Sequence, residues 1–166
     1  MGEIWEVREG CSCKKCREAV LETTKCRDDH KDDTKVEFQF DQNFFDREIF
    51  EDPITILQVE FNKIPANSKI WFSGIVALDN DDNDFVPLIL NIVRTRENGL
   101  SNIIYTQFFE VDEEDHDDIT QVPFAHVEIE ANDIKNVTYT VTIERDQNFG
   151  DVFLFGQSTL AATRFS

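Results

Sequence analysis

Four cysteines, Cys11, Cys13, Cys16 and Cys26, are the residues of this 166-residue chain whose type and spacing could do chemistry. They admit three readings. Four thiolates at short spacing can close a tetrahedron around zinc, although the single residue between Cys11 and Cys13 makes a tighter chelate than the usual spacing of roughly two to four. The same thiols can form disulfides, within the segment or between subunits, and the neighbouring Lys14, Lys15 and Arg17 favour the thiolate that oxidises. They can also remain reduced without a role. Cys13 to Cys16 has the C-x-x-C spacing of a redox enzyme, but the chain lacks the βαβ framework that such an enzyme uses.

The second candidate is the run Asp79-Asn80-Asp81-Asp82-Asn83-Asp84, rich in the hard oxygen ligands that calcium prefers. Asp79, Asp81, Asn83 and Asp84 are the candidate ligands. An EF-hand is excluded, because its sixth position needs Gly and holds Asp84, and its twelfth needs Glu and holds Leu90. The alternative is a solvated acidic turn, and the run from Asp112 to Asp118 reads the same way. The histidines are scattered: His30 in a polar linker, His116 in that acidic loop and His126 on the polar side of a strand. No G-x-S-x-G elbow, HExxH or phosphate loop is present. Glu60, Glu128 and Glu144 are carboxylates without a partner that the sequence can name, and the sequon Asn136-Val137-Thr138 falls on a strand. No catalytic residues are expected, and no cofactor beyond zinc at the cysteines or calcium at the acidic loops.

Charge narrows the partners. The chain has 16 Lys+Arg against 34 Asp+Glu, a formal net charge of -18. Residues 1–35 hold 8 basic and 9 acidic side chains, so nearly all the excess sits on the rest. Such a field repels phosphate, which argues against nucleic acid, and attracts divalent cations or basic surfaces. No segment approaches the roughly 20 apolar residues of a membrane helix, so membrane insertion is not expected. The start, Met1-Gly2-Glu3-Ile4-Trp5-Glu6, has no basic stretch followed by an apolar one, so no secretory signal is expected.

The elements that would position these residues are strands. Residues 1–34 read as a cysteine-bearing arm and polar linker, with a short helix between Lys14 and Lys25. Residues 35–166 read as a β-sandwich. Val36, Phe38 and Phe40 alternate with polar residues, as do Val127 and Ile129, and Val137, Tyr139, Val141 and Ile143. Each is expected to bury its apolar side and wet the other. The more continuously apolar runs Ile54 to Phe61, Ile70 to Leu78, Val86 to Val93, Ile103 to Val111 and Val152 to Phe165 are expected to be covered on both sides, the last as a central strand. Asn98-Gly99 is a favoured hairpin turn. The fold class is therefore all-β: an antiparallel, jelly-roll-like sandwich of about eight strands.

The pairings Val59-Glu60-Phe61 and Ile70-Trp71-Phe72, the segment Thr138-Tyr139-Thr140-Val141, the ending Ser158-Thr159-Leu160-Ala161-Ala162 and the cysteine arm together resemble small jelly-roll proteins of endospore-forming bacteria. That group comprises endospore appendage (fibre) subunits, exosporium basal-layer proteins and related clostridial sandwich proteins. The resemblance covers residues 50–166 by pattern. It implies a self-assembling structural subunit of a spore-surface or extracellular fibre, whose sandwiches stack by sheet augmentation. It also implies that Cys11, Cys13 and Cys16 act as connector cysteines in disulfides with neighbouring subunits. Ser12 stands where those connectors carry a second adjacent cysteine. The implied setting is a spore or cell surface reached without a secretory signal, the alternative a cytoplasmic one. The other class of function open to such a chain is a β-sandwich binding module for carbohydrate, protein or calcium, with Trp71, Tyr105 and Tyr139 as stacking aromatics.

Overall fold

The computed structural model describes residues 35–80, 85–112, 119–147 and 150–166. The arm expected over 1–34 lies outside them. Eight strands follow one another: β1 (Val36–Glu48), β2 (Ile54–Ile64), β3 (Ser68–Asn80), β4 (Val86–Thr95), β5 (Ser101–Val111), β6 (Thr120–Glu130), β7 (Ile134–Arg145) and β8 (Val152–Phe165). β1 pairs with β8, β2 with β7, β3 with β6 and β4 with β5, all antiparallel. The chain thus runs out to the Asn98-Gly99 turn and returns along itself as one long ribbon. Gly99 takes a φ of 79° there and its N–H donates to Arg96 O at 2.8 Å, a left-handed position suited to a residue without Cβ. Rolling the ribbon lays β8 on β3 and β7 on β4, giving one sheet ordered β1-β8-β3-β6 and another ordered β2-β7-β4-β5. This is a jelly roll, and the all-β antiparallel sandwich read from the sequence is the fold observed.

The core lies between the sheets. Phe61, Phe72 and Tyr139 meet at its centre, with Tyr139 4.8 Å from Phe72 and 6.1 Å from Phe61 between ring centroids. Ile70, Leu78, Leu88, Leu90, Ile92, Val141 and Leu160 are fully buried around them. Burying each such side chain contributes roughly 1.5–3 kcal/mol. β7 turns Val137, Tyr139, Val141 and Ile143 inward as its alternation predicts, and β8 is a central strand.

Two readings of the strand faces are corrected. β1 and β6 turn their apolar sides outward: Phe38, Phe40, Val127 and Ile129 are exposed, while Glu130 is buried and Glu128 nearly so. The cause is that the inward carboxylates find partners in the interior. The runs of β2, β3 and β5 are also not covered on both sides: β2 and β5 are edge strands, Trp71 of β3 is exposed, and Ile103 and Phe108 of β5 stand 61% and 69% exposed.

Gly74, inside β3, marks the closest approach in the sheet. A Cβ built there would stand 2.3 Å from Thr159 O and 2.4 Å from the Phe124 ring, which occupies the space a side chain would need. Gly74→Ala is therefore expected to lower the unfolding free energy by about 1–3 kcal/mol, read by urea denaturation. An unchanged midpoint would mean that Phe124 moves aside freely.

Candidate functional site

The interior charges come first, since buried ionisable groups are where chemistry is usually sought. Arg94 of β4 projects between the sheets, and its Nη1 donates to Glu128 Oε1 at 2.6 Å and Glu130 Oε2 at 2.7 Å, both on β6. Glu128 Oε2 accepts from the Tyr139 hydroxyl at 2.7 Å, and Glu130 Oε1 accepts from the Asn132 N–H at 3.2 Å. Arg96 adds a longer pairing to Glu130 at 3.8 Å. Burial first, and then the Glu128 carboxylate, hold the Tyr139 hydroxyl protonated well above the ordinary phenol range. All four carboxylate oxygens of the pair have partners, and the hydroxyl is held neutral. The cluster ties one sheet to the other. A second tie lies on the same inner row: Arg164 of β8 donates to Lys63 O of β2 and pairs with Glu37 of β1 at 3.0 Å.

The sequence-named candidates separate in space. Cys11, Cys13, Cys16 and Cys26 lie outside the described residues, as do Asp81, Asn83, Asp84, His30 and His116. Asp79 lies opposite Phe153 of β8 near the end of β3, and Asn80, which ends the strand, is buried with its amide donating to Val111 O at 2.9 Å. Among the described residues no group of three or more His, Cys, Asp or Glu is arranged to hold a metal ion. His126 is not on a wet face: its ring lies 5.2 Å from Tyr105 and 6.4 Å from Phe72, inside the sandwich. Glu60 and Glu144 belong to the outer side of the other sheet, away from Glu128. Of the three stacking aromatics, Tyr139 is fully buried, Tyr105 half-buried, and Trp71 exposed. The Asn136 amide of the sequon donates to Glu97 at 2.9 Å.

What the arrangement does offer is surface. The four sheet edges are treated differently. β1 carries Glu37, Asp41, Asp46, Arg47 and Glu48. β2 is shielded by β1, whose Asp41 carboxylate accepts the Gln58 N–H at 2.7 Å and whose Asn43 amide donates to Ile56 O at 3.1 Å. β6 holds Pro123 and inward-turned carboxylates. Charges, proline, bulges and inward acids are the devices that keep an edge from pairing with another chain. β5 carries the fewest: a bulge at Ile104 and the charge of Glu110 near its end, with none from Tyr105 to Phe109. It is the open edge.

The outer faces also differ. Register places Val36, Phe165, Lys69 and Ile129 in one row across the β1-β8-β3-β6 sheet, then Phe38, Thr163, Trp71 and Val127, then Phe40, Ala161, Ser73 and Ala125, then Gln42, Thr159, Ile75 and Pro123. Lys69 is the one charge in those rows. The other sheet presents Thr138, Thr140, Thr142 and Glu144 of β7 beside Asn91 and Thr95 of β4, a polar stretch, with the exposed Phe108 and Ile103 of β5 at its edge.

No family model matches the chain, and no curated protein matches it. Among solved structures it is similar to a chain of infectious bursal disease virus, Gx strain, at 11% identity and a TM-score of 0.52, covering 80% of this chain and 32% of that one. It also matches a VP2 subviral particle of infectious bursal disease virus at 12% identity and a TM-score of 0.48, covering 80% and 33%. The present chain spans about a third of the length of the chains it matches. The first likeness shows the fold, a jelly-roll sandwich.

Arg94→Ala is expected to destabilise the domain by about 3–5 kcal/mol, because it leaves two interior carboxylates without their cation. In a double-mutant cycle with Glu128→Gln, thermal unfolding should show coupling between the two positions. Additive effects would remove Arg94 from its place as the tie between the sheets.

Proposed function

We propose that this protein is a self-assembling structural subunit, in which a strand of a neighbouring subunit adds to the open edge of β5. The observation that carries this reading is the contrast among the edges: three are guarded by side chains along their length, and β5 only by the bulge at Ile104 and by Glu110 near its end. A strand so lightly guarded offers a row of free backbone N–H and C=O groups, the template that strand addition uses. The fold alone does not choose, since jelly rolls build viral shells and also serve as lectin and cupin domains. Carbohydrate binding has less support, because two of its three aromatics are turned inside. With the interior carboxylates engaged by Arg94 and Tyr139, the reading includes no catalytic role.

Within this proposal the N-terminal cysteines Cys11, Cys13 and Cys16 cross-link neighbouring subunits, and divalent cations screen the acidic body. The setting proposed is a spore or cell surface, and its support is the sequence resemblance to spore-surface jelly rolls.

Negative-stain electron microscopy of the full chain, with and without reductant, tests the reading. Filaments or arrays are expected. Particles of a single 19.3 kDa chain in both conditions would overturn it. Replacing Cys11, Cys13 and Cys16 together by Ser is expected to lower the temperature at which assemblies dissolve, and an unchanged temperature would remove the cross-link while leaving the assembly.

A further inference from the structure

We infer that the outer face of the β1-β8-β3-β6 sheet is a second contact surface, and that what covers it is the same face of a second copy of this chain. The inference rests on the self-assembly reading and adds to it a contact unrelated to strand addition.

The face is unusual for a surface. Phe44, Ile129, Phe38, Val127, Trp71 and Phe40 are between 51% and 73% exposed on β1, β3 and β6, and Phe165, Thr163 and Ala161 of β8 fill the row between β1 and β3. Phe38 and Phe40 stack on each other at 6.4 Å with 12° between their planes, leaving their outer sides open. Contiguous apolar surface of this kind marks a contact, whereas single exposed apolar residues do not. Aromatic enrichment with few charges is also the composition of an interface centre.

Charge selects the occupant. Two copies of a chain with a formal net charge of -18 repel over most of their surfaces. They can approach only where carboxylates are missing, and the four rows from Val36 to Gln42 contain none. A basic partner would gain nothing here and would be drawn to the acidic surfaces instead. Size agrees with a second copy. Nine residues of β1 at about 3.4 Å each, across four strands about 4.8 Å apart, give a footprint of roughly 600 Å². Two such faces together bury about 1,200 Å², at the threshold of a specific interface. Sheets pack face to face at about 10 Å with strands within about 30°, so a two-fold axis lays one twisted sheet on its copy as the two sheets already lie within the subunit.

The test separates this contact from the β5 edge. Thr106→Lys with Phe108→Lys closes the edge while leaving the face intact, and Phe40→Lys with Trp71→Lys does the reverse. All four side chains are removed from the interior core, so the fold is expected to persist. In a Trp5→Phe background Trp71 is the one tryptophan, and its emission reports whether the face is covered. Sedimentation velocity and fluorescence are followed across a hundredfold range of concentration. The edge-closed protein is expected to form a dimer whose Trp71 emission moves to the blue as it forms, and Phe40→Lys added to it should give a monomer. A monomeric edge-closed protein with unshifted emission, from a wild type that assembles, overturns the face contact and leaves the strand-edge reading standing. A monomer with Trp71 already shielded overturns the second copy in favour of the chain's own residues 1–34. A dimer whose Trp71 emission never shifts overturns the contact as well. Wild-type protein that stays monomeric with Trp71 exposed overturns both readings.

Discussion

Arg94 reaches from β4 across the sandwich to two carboxylates of β6, and a strand cannot turn Glu128 and Glu130 inward without turning Val127 and Ile129 out. Side chains alternate along a strand with a period of two, so one commitment fixes the whole face. The same exchange operates at the opposite edge of that sheet, where Glu37 of β1 turns in toward Arg164 and Phe38 turns out. The two pairs share an inner row, since Glu37 lies opposite Arg164, Arg164 opposite Ile70, and Ile70 opposite Glu128. A buried ion carries a desolvation penalty of several kcal/mol unless its partners are good. Here Glu128 has both Arg94 and the Tyr139 hydroxyl, which keeps the arrangement sustainable. The apolar outer face is thus the other side of the interior ion pairs.

Much of this architecture was legible in the sequence. The eight strands and the Asn98-Gly99 turn follow from turn chemistry and apolar runs. The inward side of β7 follows from Val137, Tyr139, Val141 and Ile143, because nothing on the alternate positions competes for the interior. The orientation of β1 and β6 was not legible. An alternating strand shows which residues share a face, and only the partners across the core decide which face goes in. Arg94 lies 34 residues from Glu128, a separation at which no local pattern links them. A signal did exist: Arg94 follows the largely apolar run of β4 on its inward side, and a lone arginine entering the core needs carboxylates from somewhere. The open edge of β5 was hidden for a related reason, since a run such as Ile103 to Val111 looks the same whether it is central or peripheral.

The ribbon topology explains why the edges differ. Rolling a ribbon into two sheets leaves β1 and β2 at one side of the sandwich and β5 and β6 at the other. On the first side, β1 lies close enough for Asp41 and Asn43 to occupy backbone groups of β2. On the second, β6 commits Glu128 and Glu130 to Arg94 and Tyr139, and His126 to a ring contact with Tyr105 of β5. Guarding one edge and tying the sheets together are competing uses of the same side chains, and β5 is the strand with the fewest guards.

Charge then decides which exposed surfaces can meet. Two carboxylates brought about 5 Å apart across a contact repel by roughly 0.8 kcal/mol in water, and by several times that where water is excluded. At physiological ionic strength the repulsion fades over about 8 Å, so acids at the rim of a contact are tolerated and acids at its centre are not. In a chain with 34 acidic residues most random encounters therefore place like charges face to face. The stretch Ser101 to Phe109 and the rows from Val36 to Gln42 escape that penalty. The acidity that keeps copies apart elsewhere gives their association its direction, because these two surfaces are where apolar gain is not offset by buried like charge.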